Sequence, residues 1–431
     1  MLSQLISILE TQNNLSDWKI KVVEQKGYEI FFVHSKIDMT RAKEVTHYNL
    51  MLYKNFIKGE SYTGSSLVSI SPGMTSVEIK KLINQGLENA SFVKNQSYPI
   101  LEPTQVKSKI KNINEIENKP SLSAILKEIQ SLDPKTKEAL NSMELFIYEE
   151  KKTIVNSRGI HVTSVMPKIY QETITQAKGL EEDVELYFEN HYSTIKPGQI
   201  SKQIQEMVIQ TIDRSKAVTT PNLGKFPIIL SGTSVVEFFN YYVSKSSARA
   251  FYEKLSPFKP NDSIMGKEVR GDMVDLWLEP LLDGSYYSCP FDEDGYPLET
   301  IKVIDKGFLI RHWGDLRYSH YVDAVSPTGG LNNFRVAAGQ KTLSQLKEKP
   351  YVEIVSFSDF QMDTMTGDIG GEIRLGYYFD GTTTVPITKG SIVGNIIECQ
   401  NNLTLSQEVH SIMNFCGPQS ILLQDAMVSG S

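Results

Sequence analysis

Hydrolytic zinc carried on a single helix requires two imidazoles on one face, so that both reach one ion, and a glutamate beside them to handle the water proton. The seven histidines are His34, His47, His161, His191, His312, His320 and His410; no two stand four or five residues apart, and none is followed by Glu. The three cysteines, Cys289, Cys399 and Cys416, are scattered and form no CxxC pair, which argues against a zinc knuckle and a disulfide framework and fits a reducing compartment. Asp292-Glu293-Asp294-Gly295 lacks the further spaced ligands and distal Glu of a calcium loop and reads as a solvated turn. Thr366-Gly367-Asp368-Ile369-Gly370-Gly371 has no phosphate-binding pattern and reads as a mobile or tight loop. Ser231 and Ser234 lack the GxSxG elbow of a serine hydrolase. Lys107, Lys109 and Lys111 form a basic cluster that reads as a wet linker face.

The elements that must position any site come from a chain of 431 residues, long enough for two or three domains with proper cores. Hydrophobic residues make up 40% and charged residues 22%, near the globular average, so burial can offset chain entropy along most of the sequence. The 44 Lys plus Arg against 51 Asp plus Glu give a net charge of −7, the wrong sign for tracking phosphates, so no nucleic-acid partner is expected. Met1 to Glu10 is apolar-periodic without a basic n-region or cleavage site and reads as an amphipathic helix. No apolar run reaches the roughly 18 residues of a membrane span, so no membrane association and a cytoplasmic location are expected.

Short alternating segments between Trp18 and Tyr53 predict half-buried strands. Thr75 and Glu78 form a capping box that opens a helix with Ile79, Leu82, Ile83, Leu87 and Ala90 on one face. The Lys-, Asn- and Pro-rich stretch from Pro99 to Pro120 marks a boundary. Beyond it Ser121 and Asp133-Pro134 open short helices, strands flank the turn Asn156 to Gly159, and Gln199 to Asp213 is helical. After Pro221 the texture changes to short strands punctuated by Gly and Pro, with a hairpin at Asp305-Lys306-Gly307 and one helix around Ser234 to Val243. The expected fold class is α+β: an N-terminal α/β region with a mixed sheet and helices, and a C-terminal β-rich barrel- or sandwich-like domain. The expected divisions are residues 1–104, 105–220 and 221–431.

Several strings in order carry a resemblance: Ser71-Pro72-Gly73-Met74, Asn95 to Pro103, Asn156-Ser157-Arg158-Gly159, and Ser288-Cys289-Pro290-Phe291 running into the acidic turn. Arg317-Tyr318-Ser319, Thr328-Gly329-Gly330, Met365 to Asp368, Ile392 to Asn395 and the tail from Cys416-Gly417 continue it. Together they resemble the TldD/PmbA family, also called modulators of DNA gyrase. The resemblance implies a cytosolic assembly of two subunit types that degrades or trims peptides. One type carries HExxxH on a helix plus a late cysteine; the other, PmbA- or TldE-like, lacks the motif, and this chain is similar to the second. Aligned without gaps, the motif falls on Asn240 to Lys245, so that Asn240 and Lys245 stand where imidazoles belong and Tyr241 where the base belongs. An ammonium there repels a divalent cation.

The implied function is that of a noncatalytic, metal-less subunit. It binds a TldD-like zinc-bearing partner and helps present unfolded peptide, which could add as a strand to an exposed sheet edge; this chain itself would bind no cofactor. The alternative is a stand-alone homodimeric peptide-binding protein without protease activity. A further one is separate chemistry in the same cavity around Cys416 or Tyr241, with Asn240 as another cleft residue; the plainer expectation makes the helix an ordinary amphipathic one with Phe238, Phe239 and Val243 inward, and Cys416 a buried structural cysteine.

Overall fold

The computed structural model describes residues 1–105, 121–179, 182–324 and 326–430. The basic cluster Lys107, Lys109 and Lys111 lies outside them. Helix accounts for 23% and strand for 43%, an α+β composition with curled, half-barrel sheets.

The N-terminal half is built on one seven-stranded sheet. Its spatial order is Asn95–Gln96, Glu60–Ile70, Lys36–Lys58, Asp17–Val33, Leu140–Asn156, His161–Ala177 and Val184–Tyr192. The expected boundary near residue 104 therefore falls between strands of a single sheet, and the short segments read from the sequence are pieces of much longer strands. Asp17–Val33 pairs with Lys36–Lys58 on one side and, from Lys19 to Val33, with Leu140–Asn156 on the other. Polar residues in mid-strand hid this continuity, because ladder hydrogen bonds hold the backbone whatever the side chain. Every pairing among the described strands of this sheet is antiparallel; the parallel pairings of the molecule occur after residue 217.

Strand alternation gives the sheet two different faces. One face is covered by helices: Leu2–Glu10 and Ser76–Ala90 pack Leu5, Leu9, Ile79 and Ile83 on Trp18, Ile20, Leu50 and Leu52. Further along, Leu122–Gln130 and Gln199–Ser215 bring Ile125, Ile129, Ile200 and Ile204 onto Ile30, Leu145 and Ile169. Each such aliphatic side chain contributes about 1.5–3 kcal/mol when fully buried. The capping box at Thr75 and Glu78 is formed, and Asp133 caps the helix opened by Pro134. The other face meets the C-terminal half through Leu101, Ile154, Ile160, Val162, Cys289 and Phe291.

The C-terminal half holds a ten-stranded and a six-stranded sheet. One apolar cluster joins both sheets to the helix Thr233–Lys245: Phe238, Phe239 and Tyr242 pack among Leu276, Phe334, Ile354 and Phe415. The helix has a wide buried face and keeps one narrow outer stripe, Thr233, Glu237, Asn240 and Ser244, so it is amphipathic as expected. Val235, Val236, Tyr241 and even Lys245 are buried along with Phe238, Phe239 and Val243, so the helix runs through the core. No described helix is long and apolar enough to cross a membrane.

Candidate functional site

Asn240, Tyr241 and Lys245 all lie on the core helix, which follows the strand Ile228–Ser231. Asn240 is half-buried and donates from Nδ2 to Glu237 Oε2 at 3.4 Å. Tyr241 is buried, its ring edge-on to Tyr242 at 5.4 Å, and burial raises its phenol pKa. Lys245, one turn on, donates from Nζ to the carbonyls of Leu255 at 2.8 Å and Met365 at 3.1 Å. Burial lowers its pKa, and the negative charge of Asp363 opposes that shift. These side chains do not fit a zinc ion: an ammonium already committed to two carbonyls offers no lone pair, and a buried phenol held in its neutral form is a poor ligand. Among the described residues no three His, Cys, Asp or Glu side chains cluster as a metal site.

Cys416 does not join them. It lies on the strand Phe415–Pro418, where Phe415 stacks on Phe239 of the helix at 5.6 Å. Adjacent residues of a strand point to opposite faces, so Cys416 is directed away from the helix. The cleft expected from Cys416, Tyr241 and Asn240 is not assembled, and Cys416 is half-buried, not buried. Nor does His410 serve it: on the facing strand Ser411 pairs with Cys416, whereas His410 pairs with Gly417 and takes the other face.

The long hairpin beside this helix offers a different feature. Tyr351–Met362 pairs along its length with Asp368–Phe379, but its parallel pairing with Ile228–Ser231 stops at Ile354. From Val355 to Met362 the other edge of the strand has no ladder partner among the described residues. The register shifts between Ile354 and Asp359 mark bulges, the usual device for protecting an edge. The glycine-rich stretch after Met362 is a tight turn: Asp363 Oδ1 accepts the Met365 N–H at 2.7 Å, Gly367 takes φ +83°, and residues from Asp368 onward are strand.

The acidic turn is solvated only in part, chiefly at Glu293. Asp292 is buried, and its carboxylate accepts backbone N–H groups from Asp294, Tyr296 and Gly330 at 2.8, 2.9 and 3.0 Å. Burial, followed by the charge of Asp294, pushes its pKa up. Glu293 pairs with Lys21 and Lys152, both at 2.6 Å, and Asp294 pairs with Lys19. Three sheet lysines thus clamp the C-terminal half. Burial would raise the Glu293 pKa, but Lys152 and Lys21 outweigh it and hold it down at about 2.

Beside the clamp lies a group of residues that motif reading passed over. Lys152 pairs in register with Ser164 and Glu150 with Met166, so these residues, with Lys168, share the face that carries Ile154 and Val162. Tyr287, Ser288 and Cys289 close over them, leaving a cavity of about 200 Å³. The available signal was charge at i, i+2 spacing in a phase that turns apolar at Ile154; the partners, more than 100 residues away, were not available from spacing.

Comparison with known proteins bears on the whole arrangement. Residues 223–430 match the family described as the PmbA/TldA metallopeptidase C-terminal domain. A metalloprotease PmbA of Escherichia coli O157:H7 is 26% identical over 213 residues, 48% of this chain and 46% of that protein. An uncharacterised protein of Methanocaldococcus jannaschii is 23% identical over 240 residues, 50% of this chain and 57% of that protein. The chain thus spans about half the length of the curated relatives it matches. The crystal structure of TldE from Thermococcus kodakarensis superposes over 100% of both chains with a TM-score of 0.78 at 14% identity, a likeness of fold. Fold and C-terminal domain together are those of PmbA/TldE metallopeptidase-like proteins. Over residues 223–430 the chain is similar to the PmbA/TldA C-terminal domain, and the similarity to TldE over the whole length is one of fold.

Proposed function

We propose that this chain is a noncatalytic subunit of a TldD/TldE-type metallopeptidase assembly, located in the cytoplasm, which docks on a zinc-bearing homologue and helps hold unfolded peptide for cleavage. The observation that carries this reading is Lys245, whose ammonium is buried on the core helix where the resemblance puts an imidazole, and is bound there by two carbonyls. Such a helix cannot be turned into a zinc site by a rotamer change, because displacing Lys245 leaves two carbonyls without donors. The unpaired edge from Val355 to Met362 supports the peptide-holding part, since an extended chain can add there through backbone hydrogen bonds without strict sequence preference.

The test is metal analysis of the purified chain, alone and mixed with an HExxxH homologue, followed by peptide cleavage assays on each sample. The expected result is no stoichiometric zinc and no cleavage by the chain alone, with both appearing in the mixture and the mass of a mixed complex. Stoichiometric zinc held by this chain, with chelator-sensitive cleavage in the absence of a partner, overturns the proposal. A stable homodimer that binds peptide and ignores the homologue supports the stand-alone peptide-binding alternative.

A further inference from the structure

The sheet face that carries Ile154 and Val162 continues past Lys168, and there cross-strand register sets two rows of side chains on it. In one row Glu29, Phe146, Tyr170 and His191 stand opposite one another on four adjacent strands. Two residues along each strand, the second row runs Phe31, Glu144, Glu172 and Glu189. The rings form a continuous band. Phe146 lies 5.5 Å from Phe31 and 5.4 Å from Tyr170, while His191 lies 5.2 Å from Tyr170 and 5.1 Å from Tyr286. Phe31, Phe146 and Tyr170 are only half-buried, so the band is open to solvent.

Glutamates directly opposite one another repel, and folding gains nothing from three of them on consecutive strands. Glu172 accepts from the Tyr170 hydroxyl at 2.7 Å; Glu189 accepts from the Tyr187 hydroxyl at 3.0 Å and lies 2.6 Å from His191 Nε2. Among the described residues none of the three carboxylates is paired with a lysine or arginine. The charge of Arg41 reaches Glu144, but that guanidinium is bound to the buried Glu29. Burial, followed by the charge of Glu172, raises the Glu144 pKa. At the end of the band His191 Nδ1 is buried without a hydrogen-bond partner, a cost that the fold itself does not offset. Aromatic faces beside a row of carboxylates are the complement of a cation, drawn by ring quadrupole and by charge together.

We propose that this band docks an extended peptide segment carrying two or three lysines or arginines within a few residues. The basic groups lie along Glu144, Glu172 and Glu189, and their stems cross Phe146 and Tyr170. The carboxylate row spans two strand spacings, about 10 Å, and in an extended chain residues i and i+2 stand about 7 Å apart and i and i+3 about 10 Å. Two cations so spaced fit the row. The inference rests on the peptide-holding reading above and names its substrate class: unfolded segments of basic character.

The test uses the full-length chain without any zinc-bearing homologue. Short, end-blocked, labelled peptides that differ only in having Arg, Gln or Glu at two spaced positions are titrated, and binding is followed by fluorescence anisotropy. The Arg peptide is expected to bind at least about tenfold tighter than the Gln peptide, the combined effect of two exposed ion pairs and their ring contacts, with the Glu peptide weakest. Added salt should shrink the difference. Glu172→Gln, which keeps an acceptor for the tyrosine hydroxyls, should remove most of the preference, and Phe146→Leu should weaken the Arg peptide more than the Gln peptide. Glu348→Gln makes the same change in net charge at an exposed position of the C-terminal half and should leave the preference intact. Equal affinity for Arg and Gln peptides, or the same loss in Glu348→Gln as in Glu172→Gln, overturns the proposal. Should Glu172→Gln fail to fold, Glu144→Gln takes its place under the same criterion. A preference for Arg in this chain, with no cleavage after the homologue is added, keeps this site and sinks the assembly; cleavage by the mixture with no such preference does the reverse.

Discussion

The Nζ of Lys245 lies 5.6 Å from the centroid of the Tyr241 ring, so the two side chains stabilise each other. The same ammonium closes the carbonyls of Leu255 and Met365, tying the helix to two separate loops. Lys245→Met keeps most of the volume and removes the donors. It is expected to cost about 1–3 kcal/mol, the penalty for leaving buried acceptors unpaired, seen as a lower urea midpoint at unchanged slope. A midpoint at or above that of the parent chain would falsify the structural role given to this lysine.

The clamp at Glu293 makes a pH-dependent contribution whose sign is fixed. Lys152 and Lys21 hold the folded-state pKa at about 2, below the ordinary 4.5. The unfolded chain therefore binds a proton first as pH falls, and the stabilisation is full above about 4.5 and is lost as pH drops toward 2. Comparing Glu293→Gln with the parent chain over this range should show a constant gap at neutral pH that closes on acidification. Glu293 is 64% exposed on its side chain, so screening keeps the gap below about 1 kcal/mol per pair. A gap that widens as pH falls contradicts the assignment.

Asn156 is the polar hinge of the turn recognised in the sequence. Its Oδ1 accepts the N–H groups of Arg158 and Ile160, both at 3.0 Å, and its Nδ2 donates to Leu101 O at 2.8 Å. Only an amide supplies both roles at one buried position. Asn156→Ala should lose about 2–4 kcal/mol, since three partners are left unpaired at once. Asn156→Asp should also destabilise, by setting an oxygen against the Leu101 carbonyl. Thermal unfolding of the two variants checks both statements.

Local signals in the sequence located what local physics decides. Thr75 and Glu78, Asp133-Pro134 and Asp305-Lys306-Gly307 stand where capping and turn chemistry put them, because each involves groups within a few residues. The core helix was expected in place, but the burial of Lys245 was not, since lysine reads as polar and its partners, the carbonyls of Leu255 and Met365, come from beyond the helix. Cys416 was grouped with Tyr241 by family position alone; the alternation of Phe415 and Cys416 separates them. Glu150, Lys152 and Cys289 went unnoticed for a related reason: a site made by cross-strand register and a distant loop has no spacing of its own to recognise.

Gly371 controls the shape of the unpaired edge. It faces Phe360 in register, and a Cβ at this position would lie 2.6 Å from Phe357 Cδ1 and 2.9 Å from Asp359 O. Phe357 and Phe360 pack ring to ring at 4.6 Å, so neither aromatic can turn aside without disturbing the other. Gly371→Ala should therefore push the segment Phe357 to Phe360 outward and cost about 1–3 kcal/mol, as overpacking does. The core helix, which contacts the earlier part of this strand, should keep its fold, with Cys399 still protected from thiol reagents. Capture of an extended, unfolded peptide by the assembly should fall, because an added strand needs the donors and acceptors of that edge in line. Unchanged peptide binding in a folded Gly371→Ala variant would place the peptide elsewhere than on Val355 to Met362.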